Sequence, residues 1–347
     1  MSEARWSPAR DSGSPQIVAT NPRSLAARAA RLRGMALIPA IILAIVVSTF
    51  TSNVFLTPLN FLNVAQQATE LTVLVVAAVM ILLVGKLDIS LESTVGLAPM
   101  VAAFLIVPAS INGSAGTELS PYLGIVITLA IGMAIGLFNG ILIVKLKLSS
   151  FIVTLAMLIL LRGMAIGVTD GRTMYELPEP FLYLGSAVWF GVPVSVWFAA
   201  ALVVIAALVL SRTAFGRAIY AIGGNAKAAL AAGIRVDRVV LTVFVIAGAL
   251  AAVAGLMLAG RVAAVPSSMG QNMIFTVLAS SVIGGIGLNG GKGTILGAFT
   301  GVVLLSIIQN ILTLSSVPSY WIDAVFGAII LFALILARAT SGEKQED

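Results

Sequence analysis

Ten mostly apolar stretches, at residues 35–52, 64–84, 89–107, 121–144, 149–168, 193–210, 239–260, 273–288, 293–312 and 319–337, leave this chain few ways to fold. A helix needs about 20 such residues, at about 1.5 Å each, to cross a hydrocarbon layer roughly 30 Å thick. The pattern therefore predicts an all-α, polytopic bundle of about ten membrane helices. Composition agrees: 59% of the 347 residues are hydrophobic and 10% charged, where soluble domains carry roughly 25% charged residues. Glycine and polar residues interrupt the third, eighth and ninth stretches, so the sequence leaves open whether the last two of these cross fully or re-enter.

Charge placement orients the bundle. Residues 1–34 form a basic tail with Arg5, Arg10, Arg23, Arg28, Arg31 and Arg33. The run after it, from Met35, lacks a small-x-small cleavage site ahead of a soluble domain, so it reads as a retained first helix entered from the cytoplasm. Ten crossings of a transmembrane domain at 35–337 then place both termini, including the tail 338–347, on the cytoplasmic side. Lys86, Lys145, Lys147, Arg212, Arg217, Lys227, Arg235, Arg238, Lys292, Arg338 and Lys344 join the tail there. Arg172 and Arg261 fall outside, and Arg162 falls within a span. That is the inward bias of Lys and Arg that sets membrane orientation. The outward loops 108–120 and 169–192 carry Glu118, Asp170, Glu176 and Glu179 instead.

Several chemistries are excluded. With no cysteine and no histidine the chain has no disulfide, no thiolate nucleophile, no Cys/His zinc site and no imidazole base. A net charge of +6 invites a nucleic-acid partner, but the basic residues sit in short connectors, as membrane loops require. The segment GGKGT lacks a Ser or Thr after Lys292 and a preceding soluble strand, so it is not a phosphate-binding loop.

The longest inner connector, 211–238, reads SRTAFGRAIYAIGGNAKAALAAGIRVDR. It predicts an amphipathic helix over Phe215–Ile222 and a turn at Gly223–Gly224. A second helix follows, capped by Asn225 and ended by Gly233. Here the chain resembles the permeases of carbohydrate-uptake ABC transporters of the ribose, xylose and galactose type. The similarity extends through SSVIGGIGLNGGKGTILGAFTGVVLL, with Thr294, Gly297 and Gly301, and through GLFNGILIVKLKLSSFIVTLAMLILLRGMA, with Asn139, Phe151, Thr154, Arg162 and Gly163. It covers most of residues 61–337. One departure stands out: where the family shows Gly-Gly-Ile-Asp-Leu-Ser-Val-Gly, this chain reads GKLDISLES, with Lys86 and Glu92 in place of two glycines. That implies a different local geometry or substrate.

The resemblance implies that 211–238 is the loop that couples to an ATPase, through Gly216, Arg217, Tyr220, Gly223, Gly224, Asn225, Ala228, Ala229 and Gly233. Otherwise it is a solvated basic loop. Candidates for a solute path are Asn63, Gln66, Gln67, Asn139, Phe151, Thr154 and Asn310. Neutral amides and hydroxyls exchange hydrogen bonds with a polyhydroxylated solute without trapping charge, but the same groups serve equally as bonds between helices. Asp88 and Glu92 are either path residues or, for Asp88, a cap on the following helix. Glu70, Asp323 and Arg162 are isolated charges open to three roles: a proton relay, a buried ion pair or a water-filled path.

The resemblance implies a multi-pass subunit of the cytoplasmic (inner) membrane, surrounded by lipid, that imports a monosaccharide or related polyol. Its expected partners are an ATP-binding cassette ATPase, an extracytoplasmic solute-binding protein and a second permease copy or paralogue. The chain itself would hold no cofactor and do no covalent chemistry, ATP being bound by the partner. Its own affinity for the solute is expected to be low, so that the solute can leave. The alternatives are an ABC permease for branched-chain amino acids or nucleosides, a proton-coupled secondary transporter, and a membrane-anchored scaffold without flux.

Overall fold

The computed structural model describes residues 37–110 and 113–341. The basic tail 1–34, the end of the C-terminal tail beyond Ser341 and the Asp323 side chain lie outside the described residues. In chain order the helices are α1 (Ile38–Thr51), α2 (Pro58–Leu83), α3 (Leu91–Ile106), α4 (Pro121–Val144), α5 (Ser150–Val168), α6 (Glu179–Ser186), α7 (Val194–Arg212), α8 (Ala214–Gly224), α9 (Ala226–Ala231), α10 (Val236–Val262), α11 (Met273–Ile283), α12 (Ile295–Leu314) and α13 (Ser319–Ser341). A small hairpin, β1 (Val188–Trp189) and β2 (Val192–Pro193), separates α6 from α7.

Each of the ten apolar stretches coincides over most of its length with one of these helices. Among the described residues, α2, α4, α5, α7, α10 and α12 are long and apolar enough to cross a membrane, while α1, α3 and α11 are shorter. The eighth stretch departs most from its expected extent, because α11 stops at Ile283. Gly284 closes it and Gly285, at φ +85°, turns the chain away. Eleven residues rise only about 16 Å, so α11 alone does not span a bilayer.

Helix α2 forms the centre. From Val73 on it is apolar all round, the signature of a helix with neighbours on every side, and every residue from Thr69 to Val84 is buried. Helices α10, α12, α11 and α7 pack around it. By contrast about two thirds or more of the apolar windows of α4, α5 and α7 stay open, as suits helices that face lipid.

Small residues set how closely these helices approach. Gly124, Thr128, Gly132, Gly136 and Gly140 recur every fourth position along α4 and are all buried. A Cβ on Gly132 or Gly136 would run into the backbone of α10 at Gly248 and Phe244, and one on Gly248 would strike Gly132 in return. Between lipid-embedded helices, where apolar burial gives little net drive, such close backbone contact supplies the packing energy.

Two unwound segments interrupt the bundle. Gly85–Ser90 runs extended between α2 and α3, and residues 263–272 link α10 to α11. Irregular backbone at membrane depth persists only where protein satisfies its polar groups, and here side chains do so. Leu87 N donates to Ser150 Oγ (3.3 Å), Ile89 N to Thr154 Oγ1 (3.3 Å) and Ser90 N to Asp88 Oδ1 (2.9 Å). The segments meet on α3, where Met269 O lies over Gly96 and Gly270 over Glu92 O. Glu92 ties them together: Oε2 accepts from Ile274 N at the start of α11 (3.3 Å), and Oε1 pairs with Arg162 of α5 at 3.0 Å.

Gly136→Leu should overpack the α4–α10 contact by about 1–3 kcal/mol or more. It should lower the thermal midpoint of the detergent-solubilised protein, while Gly163→Leu, with open space around its Cα, should not. Arg162→Met strands the buried Glu92 carboxylate and should cost about 3–5 kcal/mol. The double change Glu92→Gln with Arg162→Met should recover most of that loss in the same melting assay.

Candidate functional site

A polar cavity of about 440 Å³ opens beside α2. Its wall carries Gln67 and Glu70 from α2, Arg261 from α10, Ser268, Gln271 and Asn272 from the unwound segment, Thr276 from α11, Gln309 and Thr313 from α12, and Ser319 at the start of α13. Leu71, Leu258, Ile322 and Phe326 complete it. Helical spacing gathers the polar groups: Gln67 and Glu70 are one turn apart on α2, as are Gln309 and Thr313 on α12. The two charges among the wall's described residues neutralise each other, with Arg261 Nε donating to Glu70 Oε1 at 2.7 Å.

A second cavity, about 370 Å³, lies between α1, α2, α7 and α12 and is lined by Ile41, Ile45, Phe61, Val64, Phe299 and Val303 among others. The hydroxyls of Thr69 and Thr72 beside it are spent on the α2 backbone, at Gln66 O and Ala68 O. Its chemistry is that of a lipid-facing groove.

The remaining path candidates are placed as follows. Asn63 is exposed on α2, away from the polar cavity. Gln66 Nε2 donates to Gly185 O of α6 (2.9 Å). Asn310 and Asn60 form a reciprocal amide pair at 3.0 and 2.9 Å that joins α12 to α2. Asn139 Nδ2 donates to Ser90 Oγ (2.9 Å) and reaches Asp88 Oδ2 at 3.5 Å. Thr154 braces Ile89, and Phe151 is exposed on α5. Asp88 folds an Asx turn onto Ser90, the residue that precedes α3. Of the proposed path set, then, Gln67 alone lines the polar cavity. Arg261, Thr276, Gln309 and Thr313 join it from positions that sequence reading passed over. The i, i+4 pair Gln309 and Thr313 in an otherwise apolar helix was the available signal.

The connector between α7 and α10 folds into two short helices. Thr213 Oγ1 accepts from Gly216 N (3.1 Å) and starts α8, whose Gly216 packs on the backbone of Leu210. Asn225 Oδ1 accepts from Ala228 N (3.0 Å) and starts α9, which Gly233 ends at φ +83°. Arg217 and Ala228 face solvent, Ala229 is buried, and Gly224 is exposed beside Ala221, Ala226, Lys227 and Leu230. The exposed face is therefore smooth, rimmed by basic residues and built largely of small side chains.

Beneath it lies a junction made of glycine. Gly223 sits against Leu83 O, Gly291 N donates to Leu83 O (2.9 Å), and Gly290 presses on Gly85 and Gly223. Gly290, Gly291 and Gly293 all have positive φ, which a side chain would strain. Tyr220 Oη donates to Gly293 O at 2.9 Å. Burial pushes that phenol above its ordinary value, so it stays protonated and keeps donating throughout the physiological range. The junction lies at the C-terminal end of α2 and the polar cavity beside its middle, about 20 Å apart from Leu83 to Glu70.

The match to known proteins fits this division. Residues 60–334 match the family model described as branched-chain amino acid transport system / permease component. An autoinducer 2 import system permease protein, LsrC, from Yersinia enterocolitica is 33% identical over 276 residues, covering 80% of this chain and 74% of its own length. The LsrC of Photorhabdus laumondii is 33% identical over 272 residues, 78% of this chain and 79% of its own. An L-arabinose ABC transporter permease protein, AraH, from Azospirillum brasilense is 32% identical over 291 residues, 84% of this chain and 83% of its own. No solved structure matches the chain. With a polar cavity inside a helical membrane bundle, and the family model spanning nearly all of that bundle, the chain belongs to the permease-component family of these transport systems.

Proposed function

We propose that this chain is the membrane subunit of an ABC importer of the inner membrane that carries a monosaccharide or related polyol. Ten crossings with both termini inside would complete its topology. The unwound segments 85–90 and 263–272 would carry the chain across the depth that α3 and α11 leave uncovered. In this arrangement the polar cavity opens outward, where a solute-binding protein delivers cargo, and α8–α9 faces the cytoplasm, where an ATPase docks. A second permease copy would supply the other half of the pathway.

The observation that carries the substrate class is the wall of the cavity. It offers amides and hydroxyls, and its two charges are already paired with each other. A neutral polyhydroxylated solute finds hydrogen-bond partners there. The zwitterionic end of an amino acid finds no countercharge left over among the described residues of that wall, which disfavours the reading that the family description suggests. The relatives named for autoinducer 2 and L-arabinose support the same choice. A gradient-driven carrier finds less support because two of its three relay candidates, Glu70 and Glu92, are held in arginine pairs, while the third, Asp323, has its side chain outside the described residues.

Smoothness and rigidity explain how α8–α9 would transmit force. Interlocked backbone in the glycine junction moves as a body, so a push on the docking face is not dissipated in loop motion.

Three measurements check this reading. The chain has no cysteine, so Gln67→Cys introduces a single thiol. A membrane-impermeant maleimide added from outside should label it, and should leave lipid-facing Phe151→Cys unlabelled. Gly223→Trp should separate α8 from Leu83 and Gly291, and the tagged chain should then recover at least about ten-fold less ATPase subunit on co-purification. Uptake of radiolabelled pentoses and hexoses by the intact complex, with leucine as the control solute, decides the substrate class. Leucine uptake without sugar uptake would transfer the assignment to amino acids.

A further inference from the structure

The contact between Glu70 and Arg261 is one-sided. A carboxylate and a guanidinium that serve only to neutralise each other can engage through two parallel hydrogen bonds. Here one bond forms, from Arg261 Nε to Glu70 Oε1. Glu70 Oε2 is buried and has no hydrogen-bond partner, and no described residue engages the two terminal amino groups of Arg261. The two side chains also differ in exposure, Glu70 at 2% and Arg261 at 32%. Glu70 is thus the buried member of the pair, while the partly exposed Arg261 lines the cavity together with Gln309, Thr313 and Gln271.

We infer that Arg261 is the solute-contacting residue of the cavity and that Glu70 is the residue that positions it. Held at Nε, the guanidinium presents its outer edge as a fixed fork of N–H donors, spaced to meet two neighbouring oxygens. The group it fits is a pair of adjacent hydroxyl or ring oxygens on an uncharged sugar. Amides at Gln67, Gln271 and Gln309 return acceptors to the same hydroxyls. Because Glu70 cancels the charge of Arg261, the fork offers directional hydrogen bonds without the field that would hold an anionic solute. This inference rests on the importer reading and deepens it.

The test uses the intact complex of this chain with its own ATPase and binding protein in proteoliposomes. It follows uptake of D-ribose, D-xylose, L-arabinose and D-galactose alongside ATP hydrolysis. In importers fed by a binding protein the informative quantity is the number of ATP molecules spent per sugar moved. Arg261→Lys and the double variant Glu70→Gln with Arg261→Gln remove the fork. The double variant also leaves no unpaired charge behind, so the fold is not the variable. Both should cut sugar uptake about ten-fold or more while ATP hydrolysis stimulated by the loaded binding protein persists. Glu70→Ala, which frees Arg261 without removing it, should raise ATP spent per sugar, and Glu70→Gln, which can still accept from Nε, should largely restore it. If uptake and hydrolysis fall in parallel in the double variant, if its complex fails to assemble, or if its ATP-per-sugar ratio is unchanged, the assignment is overturned. If the unaltered complex moves none of the four sugars, it is the importer reading for this substrate class that fails.

Discussion

Close approach of backbone at α4 and α10 is the constraint on which the rest of the structure depends. In lipid the bundle cannot be assembled by squeezing water out, so its helices are held where small residues let main chains touch. The stripe from Gly124 to Gly140, answered by Gly248, fixes α10 against α4. That places α10 along the buried α2, and from this core follow both ends of the molecule. Arg261 sits at the last turn of α10 and Glu70 in the middle of α2, so the ion pair that defines the cavity is a direct product of how those two helices are set.

Charge inside the bundle follows one rule: among the described residues, each buried carboxylate has a structural partner from another element. Glu70 meets Arg261, Glu92 meets both Arg162 and the start of α11, and Asp88 turns back on Ser90 with Asn139 behind it. Glu92 is the departure from the family's glycine noted in the sequence, and its surroundings give that departure a use. A short helix beginning inside a membrane exposes amides that need acceptors, and the carboxylate of α3 supplies one. Lys86, the other departure, is not among its partners.

Much of this was legible in the sequence because it depends on local pattern. Apolar length gave the ten helical segments. The polar signals Asn225 and Gly233 gave the boundaries of α9 to within a residue, because a cap and a positive-φ terminator act on the next few residues of chain. What stayed hidden depends on pairing across long separations. Asn139, Thr154 and Asn310 looked like solute ligands because an amide or hydroxyl in an apolar helix reads the same whether it faces water or another helix. Only the fold brings Asn310 to Asn60 and Thr154 to the unwound stretch before α3. Arg261 was hidden for the opposite reason, since an arginine at a helix end reads as a simple boundary charge.

The glycine junction also makes α12 a lever. Helix α12 starts at Ile295, just after Gly293, and carries Gln309 to the cavity about 20 Å away. With its short arm clamped by Tyr220 and its long arm ending at the polar cavity, a tilt of about 10° at the junction would sweep Gln309 sideways by roughly 4 Å, given the rise of a straight helix. A movement too small to strain α8–α9 would thereby be enlarged at the polar cavity. The gain is set by helix length alone, and no side chain along α12 has to change its contacts with its own helix for the motion to arrive.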